Sequence, residues 1–236
     1  DRLMKQVLAK LCGMSTIIIM LAVLIFFAVV NGMNGINFLA SENLSVIVNQ
    51  ASFLVIVGIG QAIVILTGGI NLSMGAVMAF SSVLCGGMLL KESNMFIGVP
   101  IVLVLLTGAA TGLLNGIMIT KLNIPPFIAT FAMMYTCRGL AWVYLRNRVL
   151  YPLNESFRQI AMGRLFKIGG FTVTVPMLIA FLALLLFFWL LRFTNFGRKV
   201  YFTGANPVAA KFSGIQTDRL LIIVYIISSM LAAFAG

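Results

Sequence analysis

Few side chains in this chain could carry covalent or acid–base chemistry. Its 236 residues contain no histidine. The five carboxylates, Asp1, Glu42, Glu92, Glu155 and Asp218, lie in the tail or in segments that read as loops. Acid–base dyads, proton relays inside a bilayer and histidine-based metal sites have almost nothing to build on. Cys12, Cys85 and Cys137 show no metal-ligand spacing and read as packing residues in apolar surroundings. What remains is neutral: Asn49, Gln50, Gln61, Thr107, Thr111, Asn115, Thr130 and Tyr135 within apolar runs, with one embedded cation, Arg138. A neutral polar lining suits uncharged, hydroxyl-rich solutes, and it serves helix–helix hydrogen bonding equally well. Gly108, Gly112 and Gly116, spaced by four, fit close packing better than binding.

The elements that must position these groups are membrane helices. The chain is 61% hydrophobic and 9% charged, with mean hydropathy +1.12. A soluble domain of this length cannot hide that much apolar surface, so lipid is the solvent for most of it. Continuous apolar runs argue against a β-barrel, whose strands would alternate. The runs fall near 14–32, 46–66, 73–90, 96–119, 127–145, 175–193 and 220–236. Each approaches the roughly 20 residues that a tilted helix needs to cross the hydrocarbon. The expectation is an all-α polytopic protein with about seven transmembrane helices in one transmembrane domain over 1–236. The last run stops at Gly236 in mid-pattern, which suggests further helices beyond it.

The net charge of +11 is read as basic residues flanking membrane helices, with lipid headgroups as partners and no nucleic acid. With the N-terminus inside, Arg2, Lys5, Lys10, Lys121, Arg192, Arg198, Lys199, Lys211 and Arg219 are cytoplasmic. Lys91, Arg146, Arg148, Arg158, Arg164 and Lys167 are then external. The first apolar run follows basic residues as a signal sequence would, but lacks cleavage chemistry and reads as a retained helix. The external stretch 146–174 contains Pro152, Gly163, Gly169 and Gly170 with several aromatics. It reads either as an amphipathic piece on the bilayer or pore mouth, or as a plain loop with interfacial anchors.

Three segments stand out. The first, LTGGINLSMG at 66–75, joins two apolar runs without a charge. Thr67, Gly68 and Gly69 admit non-helical backbone, and Asn71 and Ser73 can cap the next helix. It reads as an unwound element lining a translocation path, as a tight cytoplasmic turn, or as both, since a turn dipping into the path would use the same residues. The second runs from Lys121 through Pro125, Pro126, Phe127, Thr130 and Tyr135 to Arg138. Pro126 suits a first helical turn, and Arg138 falls near mid-membrane, where it must face a cavity, meet helix ends or snorkel. The third is the polar loop 194–219, carrying Arg198, Lys199, Lys211 and Arg219. Inside it, PVAAKFSG at 207–214 has proline first, small and apolar residues next, and a glycine stop, the layout of one short helix. Such a helix on a cytoplasmic loop suits docking of a soluble partner.

These segments, as LTGGINLSMG, IPPFIATFAMMYTCRGLAWVY at 124–144, and FGRKVYFTGANPVAAKFSGI at 196–215 with the YIISSMLAAFAG that follows, resemble the membrane permease subunit of ribose-type sugar ABC importers. The likeness covers nearly the whole chain from about residue 41; permeases for branched-chain amino acids and nucleosides share a looser version. It implies a vitamin B12 importer permease-like fold of about ten helices in the full protein, in the bacterial inner membrane. It implies a dimer with a second permease copy or paralogue, an ABC ATPase pair below, and a periplasmic or lipid-anchored substrate-binding protein above. No cofactor is implied in this chain; ATP and Mg belong to the ATPase. The loop 194–219 becomes the coupling loop, with Pro207, Ala209, Ala210, Phe212, Ser213, Gly214 and Ile215 on its docking helix. Candidate path residues are Gln61, Thr67, Gly68, Gly69, Asn71, Ser73, Phe127, Thr130, Tyr135 and Arg138. The family loop usually reads GGIDLS; here the acidic position is Asn71, so a charge-dependent role for that loop is lost while capping ability remains.

Other readings are separable. A secondary transporter or channel needs intramembrane carboxylates or ion sites and leaves 194–219 without a purpose. A membrane enzyme needs the missing acid–base groups. A nucleoside or branched-chain amino acid importer of the same superfamily differs only in substrate, which a binding assay with the delivery protein distinguishes.

Overall fold

A computed structural model describes residues 15–35, 37–90, 96–146, 149–151, 153 and 155–236. Arg2, Lys5, Lys10, Cys12, Lys91, Glu92, Arg148 and Pro152 lie outside the described residues. The chain order is α1 (Ser15–Met33), α2 (Ser41–Leu66), α3 (Met74–Met88), α4 (Gly98–Thr120), α5 (Pro126–Leu145), α6 (Glu155–Met162), β1 (Arg164–Ile168), β2 (Phe171–Thr174), α7 (Val175–Phe193), α8 (Asn195–Ala205), α9 (Pro207–Phe212) and α10 (Thr217–Ala235). Every apolar run is a helix. Among the described residues, α2, α4, α7 and α10 are long and apolar enough to cross a membrane, and α1 and α3 are shorter apolar helices. The chain is thus a mostly helical, multi-pass membrane protein.

Backbone contacts divide the chain into two units, one of residues up to Val48 with Lys167–Thr172, the other of Asn49–Phe166 with Val173–Gly236. In the first, Asn31 Nδ2 and Asn34 Nδ2 donate one turn back along α1 to the carbonyls of Phe27 (2.8 Å) and Val30 (2.9 Å), the latter an acceptor that the helix end leaves open. The Thr172 amide donates to Ser45 Oγ (2.8 Å), and Lys167 meets Glu42 at 3.5 Å. The β1–β2 hairpin departs from the all-α expectation. Its turn is Gly169–Gly170, with φ of +53° and +92°, the positive pair that a two-residue hairpin turn requires.

The second unit is a helical bundle in which α4 lies along α10. Gly108, Gly112 and Gly116 face α10 in one stripe, as their spacing predicts. A Cβ on Gly108 would sit 2.6 Å from Ala233 Cβ, and one on Gly116 would sit 2.8 Å from Ile222 Cα. At Gly112 it would strike the Tyr225 carbonyl. Lipid gives helices no hydrophobic reason to associate, so this backbone-to-backbone approach supplies the dispersion contact instead. Around the seam, Met74, Val77, Val104, Met133, Ala232 and Ala233 form one buried cluster, and Ile63, Val64, Val200, Val224 and Tyr225 another. Cys85 and Cys137 are buried free thiols, the packing role expected of them.

Candidate functional site

The segment 66–75 is a closed turn, not an unwound helix. Gly68, at φ +80°, ends α2 in a left-handed residue; its amide donates to the Ile65 carbonyl (2.9 Å) and the Gly69 amide to that of Val64 (3.1 Å). This crossed pair satisfies the carbonyls a helix end would orphan. Thr67 is buried and donates its hydroxyl to the Val64 carbonyl at 2.8 Å. Ser73 occupies the position before α3 but makes no side-chain cap. Instead Asn71 Oδ1 accepts from the Ser73 amide (3.1 Å) and from Ser73 Oγ (2.7 Å). The expectation that both residues cap α3 is corrected on this point: Ser73 is turned inward to a side-chain partner.

That partner belongs to a network between three segments. Asn71 Nδ2 donates to Ser228 Oγ on α10 (3.0 Å), and Asn115 Nδ2 on α4 donates to Ser73 Oγ (3.1 Å). Asn71 is 4% exposed, and Ser73, Asn115 and Ser228 are wholly buried. Buried amides and hydroxyls are costly unless paired, so the set fixes how the turn, α4 and α10 meet. Thr130, also buried, reaches back to the Pro126 carbonyl (2.8 Å) and faces that of Ile70 at 3.4 Å. Tyr225 closes the other side, its hydroxyl 3.4 Å from the Ile70 carbonyl. Asn115 and Ser228 as partners were not legible individually; Asn115 is a single polar residue in an apolar run, and Ser228 is one of an adjacent serine pair in another.

The path candidates therefore do not form one site. Thr67, Gly69, Asn71, Ser73 and Thr130 are buried in the bundle, and Gly68 is exposed at the turn. Gln61 is half-buried, with its Oε1 buried and unpartnered among the described residues. Phe127, Tyr135 and Arg138 lie on the opposite, exposed face of α5. There Phe127 stacks on Phe131 (centroids 5.9 Å, 12°), and Phe131 meets Tyr135 edge-on at 5.0 Å. Phe131, the middle of this ladder, was missed; its i, i+4 spacing from both neighbours was the available signal.

The stretch 194–219 is not a loop with one helix but two short helices and a turn. In α8, Thr194 Oγ1 accepts from the Gly197 amide at 3.4 Å. Gly197, Val200 and Thr203 form its buried face. A Cβ on Gly197 would strike the Leu191 carbonyl, and one on Gly204 that of Leu66, so α8 lies directly on the ends of α7 and α2. Helix α9 begins at Pro207, with Asn206 Oδ1 accepting from the amides of Val208 (3.1 Å) and Ala209 (3.0 Å). It ends at Gly214, φ +82°, where the amides of Gly214 and Ile215 return to the carbonyls of Lys211 and Ala210, both at 3.1 Å. Phe212 is 89% exposed and Val208 64%. Ala210 is wholly buried, so of the expected docking residues it anchors α9 and cannot face a partner. Pro207, Ser213 and Gly214 are exposed, and Ala209 and Ile215 half-buried. Lys121 meets Asp218 at 2.9 Å where α4 ends and α10 begins.

Comparison with known proteins now has a geometry to explain. The family described as branched-chain amino acid transport system / permease component matches residues 43–236. The chain belongs to this permease family. The permease is 32% identical to the fructose import permease of Rhizobium meliloti over 234 residues, covering 93% of this chain and 61% of the relative. It is 34% identical to the ribose import permease of Escherichia coli K12, covering 92% and 66%, and 35% identical to that of Bacillus subtilis strain 168, covering 85% and 61%. It thus spans less than two thirds of the length of these relatives. No solved structure matches the chain significantly.

Proposed function

We propose that this chain is the permease subunit of an ATP-driven importer that carries a monosaccharide across the bacterial inner membrane and performs no chemistry itself. The observation that carries the reading is α9: a helix capped at both ends, outside the apolar bundle, presenting an almost wholly exposed aromatic, Phe212. An exposed phenyl next to Lys211 on a rigid short helix suits a socket on a soluble partner, here an ABC ATPase holding ATP and Mg. The similarity to ribose and fructose import permeases supports a sugar as cargo, delivered by a periplasmic or lipid-anchored binding protein.

In this reading about seven helices of the chain cross the membrane, within a vitamin B12 importer permease-like fold of about ten. Residues 194–219 are then a cytoplasmic coupling element. Motion imposed on α9 passes through Asn206 to α8. Gly204 of α8 abuts the end of α2 at Leu66, and the chain runs on into the Asn71–Ser73–Asn115–Ser228 network. A packed, hydrogen-bonded route has discrete arrangements, as a switch of access requires. The sugar path lies on the exposed face of α5, closed by a second permease copy or paralogue. The Phe127–Phe131–Tyr135 ladder offers ring faces to the apolar C–H face of a sugar, and Arg138 donates to its hydroxyls.

Uptake of labelled ribose, fructose and galactose by the full-length permease, reconstituted in liposomes with its ATPase and binding protein, tests the reading. ATP-dependent accumulation of one of them is expected. Substituting Gly214 with a bulky residue should uncouple hydrolysis from uptake while the bundle stays folded: a side chain there meets nothing within 4 Å in this chain, and the strain of φ +82° falls on the end of α9 alone. Unchanged uptake in that variant would contradict the coupling role. The family description favours a second reading, import of branched-chain amino acids, and the same assay with leucine and with nucleosides separates it.

A further inference from the structure

The coupling role of α9 leaves α8 with an unexplained outer face. Its inner face is glued to the ends of two membrane-span candidates by the close approaches at Gly197 and Gly204. That seating holds α8 at the depth where α7 and α2 leave the hydrocarbon. Facing outward, Arg198, Lys199, Tyr201 and Phe202 are all exposed. With the last turn of α7 they form a groove of about 470 Å³ lined by Leu191, Arg192, Arg198, Tyr201, Phe202 and Ala205. The groove adjoins the outer face of α7, where Phe188, Trp189 and Phe193 are 63%, 56% and 63% exposed.

Among the described residues, neither of its guanidiniums pairs with a carboxylate. The three ion pairs among the described residues lie elsewhere, at Lys121–Asp218, Arg158–Glu155 and Lys167–Glu42. Arg198 donates to the neutral amide of Asn195, which orients the guanidinium without cancelling it. Two planar cations beside two aromatic rings, at the mouth of a membrane helix, match one ligand chemistry: a phosphodiester with apolar carbons attached. We propose that this groove binds an anionic phospholipid, the phosphate on Arg192 and Arg198 and the glycerol and upper acyl carbons against Tyr201 and Phe202. A free phosphate would leave the aromatic wall uncovered, and a protein partner would have to approach along the exposed side of α7, beside Phe188, Trp189 and Phe193. The inference rests on α7 crossing the membrane, not on which solute is carried.

The test is native mass spectrometry of the full-length permease extracted in detergent and exchanged against phosphatidylglycerol or phosphatidylcholine. Phosphatidylglycerol should be retained roughly thirtyfold better: both lipids carry the phosphodiester, but the choline cation of phosphatidylcholine cancels its charge, and two arginines near a net anionic headgroup supply about that ratio. Arg192→Gln/Arg198→Gln should reduce the preference to near unity, and Tyr201→Ala/Phe202→Ala should weaken retention of both lipids. Arg158→Gln, on the ion-paired α6, should change nothing. If the double arginine variant fails to fold, the exposed Arg198→Gln alone should still lower the preference several-fold. Equal retention of the two lipids, or an unchanged double variant, overturns the proposal. Displacement of the lipid by inorganic phosphate would make the groove a free-anion site, and displacement by the ATPase subunit a protein seat; either result also overturns it.

Discussion

The seam between α4 and α10 and the arm formed by α8 and α9 are built on opposite principles. In the seam, glycines remove side chains so that backbones touch: a Cβ at Gly112 strikes the Tyr225 carbonyl, and Asn115 Nδ2 ties to Ser73. In the arm, glycines also permit contact at the root, at Gly197 and Gly204, but the far end carries largely exposed side chains. Phe212 and Val208 are exposed there, and the helix holds its shape by its own caps. A membrane bundle without a hydrophobic drive between helices must be held by fit and hydrogen bonds. A lever must be stiff yet unattached at its working end. The contrast separates what holds this permease together from what, in the proposed function, a partner moves.

Substitutions can break or sharpen this contrast. Gly112→Leu should be the most damaging, costing about 3 kcal/mol or more because the clash is with backbone that cannot rotate away. Loss of monodisperse protein on size exclusion is the expected result, and a well-folded variant would refute the tight seam. Asn71→Ala leaves Ser73 and Ser228 short of a partner and should cost about 1–3 kcal/mol, read from thermal unfolding in detergent. Lys121→Ala removes an ion pair whose side chains are 58% and 46% exposed, so the loss should stay below about 1 kcal/mol and shrink with salt. Phe212→Ala should leave stability within about 0.5 kcal/mol of the parent, since the ring is nearly free.

Much of the fold was legible because lipid demands continuous apolar runs. The segment read at 175–193 is Val175–Phe193, and that read at 127–145 is Pro126–Leu145. Shorter elements escaped. Helix α8 mixes glycines, charges and aromatics, and its reason to be helical is tertiary, the seat on α2 and α7. The β1–β2 hairpin left a local signal, Gly169–Gly170 between Ile168 and Phe171, that the search for helices passed over. At the candidate site, Asn71 and Ser73 stood out by type and Pro207–Gly214 by layout. The partners did not, because Ser228 is 157 residues from Asn71 and only packing brings them together. Ala210 read as a docking residue by position, yet helical phase turns it inward.

The most direct test of the division between scaffold and lever is Phe212→Ala in the full-length permease, reconstituted in liposomes with its ATPase and binding protein, with sugar uptake and ATP hydrolysis measured on the same preparation. Uptake should fall at least about tenfold, a differential of roughly 1.4 kcal/mol in coupling, while hydrolysis continues and the permease unfolds at its usual temperature. Uptake and hydrolysis both at parental levels would contradict the account, because the exposed aromatic of α9 would then not be what the partner grips.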